Sequence, residues 1–253
     1  VQVGLFEAVI FSRENHFELN YLNPLILYRA VELALGSPDN MLLGIHGKWN
    51  FLRHFQAYGQ FVFDEFLYAE LLVRRRGWWG NKFAMQTGLK YVDAFGIDHL
   101  DLQIEHNLAR PYTYTHDEQV QSYTHQMQPL AHPLGANFQE WVLLARWQAL
   151  PRLLVQGRLL QARTGSDGAG ENWGSNILLP NVRIQQEFGN EIGQGIPTRL
   201  QIAALDLSFS IAHNVFFDLH GFYRRRTLDG QIQNHAFLSG GIRMNLPNWK
   251  HDF

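Results

Sequence analysis

From Asn234 to Leu246 apolar and small or polar residues take turns. Ala236, Leu238, Gly240, Ile242, Met244 and Leu246 hold one parity, and Phe237, Ser239, Gly241, Arg243 and Asn245 hold the other. Successive side chains of a strand face opposite sides, so this period of two predicts an amphipathic β-strand. Earlier segments repeat it. Leu100, Leu102 and Ile104 oppose Asp101, Gln103 and Glu105, while Leu205, Leu207, Phe209 and Ile211 oppose Asp206, Ser208 and Ser210. Extended along the chain, the pattern predicts eleven strands, at 4–13, 16–23, 41–52, 55–66, 83–95, 99–109, 138–149, 152–163, 199–212, 215–227 and 234–247.

Alternation alone does not separate a soluble sandwich, whose apolar face is its core, from a barrel whose apolar face meets lipid. Connection lengths do. Short links at Glu14-Asn15, Arg53-His54, Gly96-Ile97-Asp98, Leu150-Pro151 and His213-Asn214 alternate with long ones, and a moderate loop at Asp229-Gly230 comes last. Outer-membrane barrels have short periplasmic turns and longer external loops. The expected fold is therefore all-β: a single transmembrane antiparallel β-barrel domain over residues 1–253, in the bacterial outer membrane. The terminal Phe253 resembles the aromatic end of such barrels. With the last strand running toward the periplasm, eleven strands start Val1 at the external face. Such barrels normally have an even strand number and both ends in the periplasm, so strands missing ahead of Val1 are expected, within a larger barrel. One strand miscounted between Tyr21 and Leu35 is the alternative.

Composition agrees. Hydrophobic residues make up 46% of the chain without any long uncharged apolar run, which argues against membrane helices. The 13% aromatics and 22 glycines suit lipid-facing girdles and curved strands. No cysteine is present, so disulfide frameworks and thiolate metal sites are excluded. A net charge of −2 gives no footprint for nucleic acid. No signal peptide precedes Val1, so the chain is expected to begin after processing or later than the natural protein does.

Local strings add to the pattern: Tyr21-Leu22-Asn23-Pro24-Leu25, Leu35-Gly36-Ser37-Pro38-Asp39-Asn40, Gly77-Trp78-Trp79-Gly80-Asn81-Lys82-Phe83, Ala109-Arg110-Pro111-Tyr112-Thr113-Tyr114 and Gln128-Pro129-Leu130-Ala131-His132-Pro133-Leu134-Gly135-Ala136-Asn137. With them the chain resembles the C-terminal part of the Wzi-like capsule-assembly family, in its gliding-motility RemB-like branch. That resemblance implies a non-enzymatic outer-membrane barrel that anchors capsular or other surface polysaccharide, or serves as a barrel subunit of a surface or motility assembly. Its partners would be outer-membrane lipid and lipopolysaccharide, the polysaccharide, and other envelope proteins, with no cofactor. No sugar-binding residue carries over from the family.

The residues themselves offer candidates. Trp78 and Trp79, with Arg74, Arg75 and Arg76 upstream, suit a sugar platform, because aromatic faces stack on saccharide rings and guanidinium forks pair with carboxylates. The competing reading is an interfacial girdle. Tyr112, Tyr114 and His116 invite the same pair of readings, and Asn172, Trp173 and Asn176, set among glycines, are a further candidate or part of a loop folded into the lumen. Lys48, Asp64, Lys90, Asp101, Glu105, Arg146, Arg158, Asp218, Arg224 and Arg243 are predicted to face the lumen. They fill it as paired charges or line a porin-like channel, the alternative function. A tight turn at His213 would set Asp206 opposite His220 and Ser208 opposite Asp218, a hydrolase constellation. That reading is the weaker alternative, because lumens are lined with such groups. His116, His125 and His132 match no compact metal spacing, so no metal is expected.

Overall fold

The computed structural model describes residues 1–12, 19–22 and 39–245. Ten strands form one antiparallel sheet: β1 (Gln2–Ile10), β2 (Asn40–Phe51), β3 (Phe55–Glu65), β4 (Lys82–Tyr91), β5 (Leu100–Ala109), β8 (Phe138–Leu150), β9 (Leu153–Ser166), β10 (Ile196–Ala212), β11 (Val215–Leu228) and β12 (Gln231–Met244). A hairpin of β6 (Thr124–His125) and β7 (Gln128–Pro129) stands apart in the β5–β8 connection. No helix among the described residues is long and apolar enough to cross a membrane.

The expected second strand, 16–23, and the expected link at Glu14-Asn15 lie partly or wholly outside the described residues. Leu19–Leu22 forms a 3₁₀ turn and β1 pairs directly with β2, Gln2 against Lys48 through Ile10 against Asn40. With ten strands, β1 starts at the short-turn end, beside residues 52–54, and β12 finishes at that same end. The parity that placed Val1 at the long-loop end is corrected accordingly. Residues 13–18, 23–38, which carry most of two of the quoted strings, and 246–253, which include Leu246 and Phe253, lie outside the described residues. Two further links differ from expectation. Strand β4 stops at Tyr91, and a 3₁₀ turn, Ala94–Gly96, sits in a longer link to β5. Asp229 and Gly230 are a two-residue hairpin turn with φ of 47° and 77°, the left-handed pair an Asp-Gly turn is suited to supply.

One face of the sheet is apolar and uncovered. Ladder register aligns Trp49, Ala57, Leu89, Ile104, Leu143, Leu159, Ala203, Tyr223 and Ala236 in one row across nine strands. Trp141, Leu143, Trp147, Phe209 and Phe217, which a sandwich would pack inside, are 40–48% exposed. Among the described residues no second sheet covers them. Strands β1 and β12 each pair on one side only among the described residues, so the sheet is open between them.

Candidate functional site

The opposite face is where the chemistry collects. All ten charges expected in the lumen lie on it, as cross-strand pairing shows. Lys48 faces Tyr58, Gln56 faces Lys90, Asp101 faces Arg146, and Leu144 faces Arg158. At the loop end this face is instead small and apolar. Leu42, Val62, Ala84, Ala109 and Phe138 are buried there under Tyr114, Ala136 and Ile177, which come from the connections.

Three long connections, residues 66–81, 110–137 and 167–195, thus fold over the inward face as a cap. Buried asparagines fasten them, since a buried backbone carbonyl requires a donor. Asn137, wholly buried, donates to Gly165 O at 3.0 Å and Gln194 O at 2.9 Å and accepts from Gly193 N–H at 2.7 Å. Asn190 donates to Gly77 O and Gln186 O, joining residues 66–81 to 167–195. Arg110 donates to Asn81 O at 2.7 Å and Asn190 O at 3.2 Å. Burial pulls its guanidinium below the ordinary arginine value. Beneath, the buried Lys82 ammonium pairs with Glu65 at 2.8 Å, donates to Thr115 O at 3.2 Å and sits 5.2 Å from the Trp79 ring. Gly174, at φ +79°, must lack a side chain because a Cβ there would strike the Tyr112 backbone nitrogen.

The cap uses most of the expected aromatic platform for its own packing. Tyr112 and Tyr114 are 0% and 4% exposed, so neither offers a ring face to a ligand; burial raises both phenols above their ordinary range. Trp79 is partly buried and meets Tyr112 edge-on, centroids 6.0 Å apart. Trp78 is partly buried and lines a cavity of about 340 Å³ with Glu7, Asp64 and Phe66. Asn172 is buried, its amide donating to Pro180 O and accepting from Gly174 N–H. Trp173 is partly buried and donates its indole N–H to Glu171. These six side chains are struts, because a folded cap has only its own aromatics and amides with which to build an interior.

The arginines are different. Arg74, Arg75 and Arg76 are exposed. They lie on and just beyond a π-helical turn, Ala69–Arg74. Glu70 anchors two of them, accepting from Arg74 at 2.8 Å and from Arg76 at 2.5 Å. The Arg76 guanidinium also lies 4.1 Å over the Phe188 ring. Hydrogen bonding to Arg76 holds the Glu70 carboxyl below the usual carboxylate range. Arg75 and Arg76 border a cleft of about 380 Å³ with Arg110, Asn190 and Glu191.

The histidines and the β10–β11 polar patch singled out in the sequence are placed as follows in the structure. His132 turns inward, 2.7 Å from Glu140 and stacked on Phe138, whereas His125 is exposed on the small hairpin and His116 is partly buried. Burial lowers the His116 imidazole below its ordinary value. No three potential metal-ligating His or acidic side chains converge among the described residues. The β10–β11 register is as expected, with Asp206 facing His220 and Ser208 facing Asp218. Yet the Ser208 hydroxyl donates to Asp218 at 2.6 Å while His220 bonds Asp206 at 2.5 Å. Serine hydrolysis needs the hydroxyl proton to pass to the imidazole, and here the hydroxyl is directed to an acid that Arg243 also binds, at 2.7 Å.

A polar chain unforeseen in the sequence runs below the cap. Gln103 donates to Tyr58, Tyr58 to Glu105 at 2.5 Å, and Asn107 to both Glu105 and Glu140. Asn107 and Glu140 have the parity of the polar face, which is the signal that could have found them. The loop residue His132 carries no such mark.

No protein-family model, no curated protein and no solved structure matches the chain.

Proposed function

We propose that this sheet is the wall of an outer-membrane β-barrel whose cap retains surface polysaccharide, without catalysis, as the resemblance to Wzi-like proteins implies. The apolar face supports a membrane setting: it spans the strands and stays open, and soluble monomers rarely expose contiguous apolar area on that scale. Lipid satisfies it. Barrel walls alternate apolar and polar faces in this way, with long loops gathered at one end. Closure of the wall would pair β1 and β12, directly or through further strands.

The observation that carries the retention reading is the exposed arginine row, Arg74 to Arg76, held on a cap fastened by buried hydrogen bonds. Guanidinium groups recognise carboxylates of acidic sugars by bidentate pairing, and a preorganised surface loses little entropy on binding. The cap also covers the loop end of the inward face, which favours an anchor over an open solute channel. The test is the ratio of cell-bound to shed polysaccharide in a strain lacking the protein, against the same strain complemented with the native chain or with Arg74, Arg75 and Arg76 changed to Gln. Native complementation restores cell-bound polymer and the triple variant does not. An unchanged ratio in the deletion strain overturns the reading.

A further inference from the structure

Toward the short turns, beyond the reach of the cap, the inward face carries two adjacent rows of a different character. One reads Gln56, Lys90, Gln103, Leu144, Arg158 and Ala204; the next reads Asp101, Arg146, Gln156, Asp206 and His220. A cavity of about 460 Å³ lies against them, bordered by Lys90, Gln103, Arg146, Gln156, Arg158 and Asp206.

The charges in this cavity are unevenly matched. Arg158 is exposed and has no acidic partner among the described residues, nor has Lys90, whose ammonium lies 5.5 Å from the Tyr58 ring. Arg146 reaches Asp101 only at 3.9 Å, too long for a hydrogen bond. Of the two acids nearby, Asp206 is already engaged by His220 at 2.5 Å. Arg146 and Arg158 are diagonal neighbours on paired strands, which places their side chains within joint reach of one group. The carboxamide of Gln156 faces the same space with donors of its own, while that of Gln103 is held by Tyr58 and Glu105. Three cations against two carboxylates, Asp101 and Asp206, leave the cavity a net positive charge that attracts a negative ligand. The cations also supply N–H groups for its oxygens.

We propose that this cavity binds a compact oxyanion, a carboxylate or sulfate, through Arg146, Arg158 and Lys90. The site is distinct from the arginine row of the cap and lies on the far side of it, so its ligand arrives from the short-turn end. It goes beyond the retention reading and does not need it. The same chemistry is offered by a free anionic solute and by the acid group of a sugar within a polymer, and the arms of the test separate them.

The full chain, folded in non-ionic detergent at low salt, is titrated calorimetrically with sulfate, glucuronate, glucose and polyglucuronate. Sulfate and glucuronate bind saturably, glucose does not, and Arg158→Gln or Arg146→Gln weakens each anion by about tenfold or more, the loss of one charge-assisted pair. Arg53→Gln, in an exposed turn at the same end of the sheet, leaves binding unchanged. Heat-modifiable migration in gels shows that each variant is folded, and Arg158 has no hydrogen bond whose loss would unfold it. Binding of the polymer alone, abolished by the same variants, keeps the site and makes the sugar its source. Absence of saturable binding by every anion, or binding indifferent to the Arg146→Gln, Arg158→Gln double variant, overturns the proposal, whatever the polysaccharide ratio shows for the cap.

Discussion

Replacing Leu159 by Arg puts a charge in the middle of the uncovered apolar face. Leu159 lies midway along β9, is 54% exposed and is flanked in its row by Leu143 and Ala203. No packing is lost inside the protein, so the cost depends almost wholly on what the face touches. Against lipid, an arginine near the bilayer midplane costs about 2–4 kcal/mol. That is roughly 30- to 900-fold in the folding equilibrium at about 1.4 kcal/mol per decade. Against water the change stays within about 0.5 kcal/mol. Reversible urea unfolding of the protein in phosphatidylcholine vesicles measures the difference. Gln161→Arg, where the row of Trp141 turns polar toward Gln201 and Arg225, is the depth control and should cost about 0–1 kcal/mol. A Leu159→Arg variant as stable in vesicles as the native chain, or a native chain folded without lipid or detergent, would refute the reasoning.

Other outcomes follow from the cap and the inward face. Asn137→Ala removes three hydrogen bonds at a buried position with φ of 56°; a cost of at least about 2 kcal/mol is expected, seen as a lower temperature for loss of heat-modifiable migration. Because the folded Glu70 carboxyl titrates below its unfolded value, its pairs with Arg74 and Arg76 hold the 66–81 connection above the ordinary glutamate range. They release it as pH falls below about 4. Acid-active protease should then cut this connection more readily at low pH, and Glu70→Gln should remove the pH dependence. Phe138→Ala opens the core beneath the cap at a cost of about 3–5 kcal/mol, measured by urea unfolding in the same vesicles. Ser208→Ala should leave any esterase activity of the purified protein unchanged, and its loss would revive the hydrolase reading.

Period-two alternation located the sheet because each strand has one polar face and one apolar face. Of the run 16–23, expected as a strand, the described part Leu19–Leu22 coils into a 3₁₀ turn while β1 pairs with β2. Alternation over so few residues carries little register information, and long-range pairing decides. The inward charges were legible for the same reason as the strands, since parity fixes a face. Exposure within the cap was not. Tyr112 and Tyr114 have the composition of a sugar platform, and only the fold of 110–137 against 167–195 turns them inward. His132 joined the polar chain through the return path of its loop, which local sequence does not encode.

We propose that the strands cross the outer membrane with the capped end outside. The chain has no cysteine, so single cysteines report position without background. Leu72→Cys, exposed on the cap, and Leu52→Cys, exposed in the opposite turn, are to be labelled in intact cells with a membrane-impermeant maleimide. The account expects Leu72→Cys to react at once and Leu52→Cys to react only after the outer membrane is breached. Equal labelling of both before breaching, or labelling of the turn alone, contradicts it.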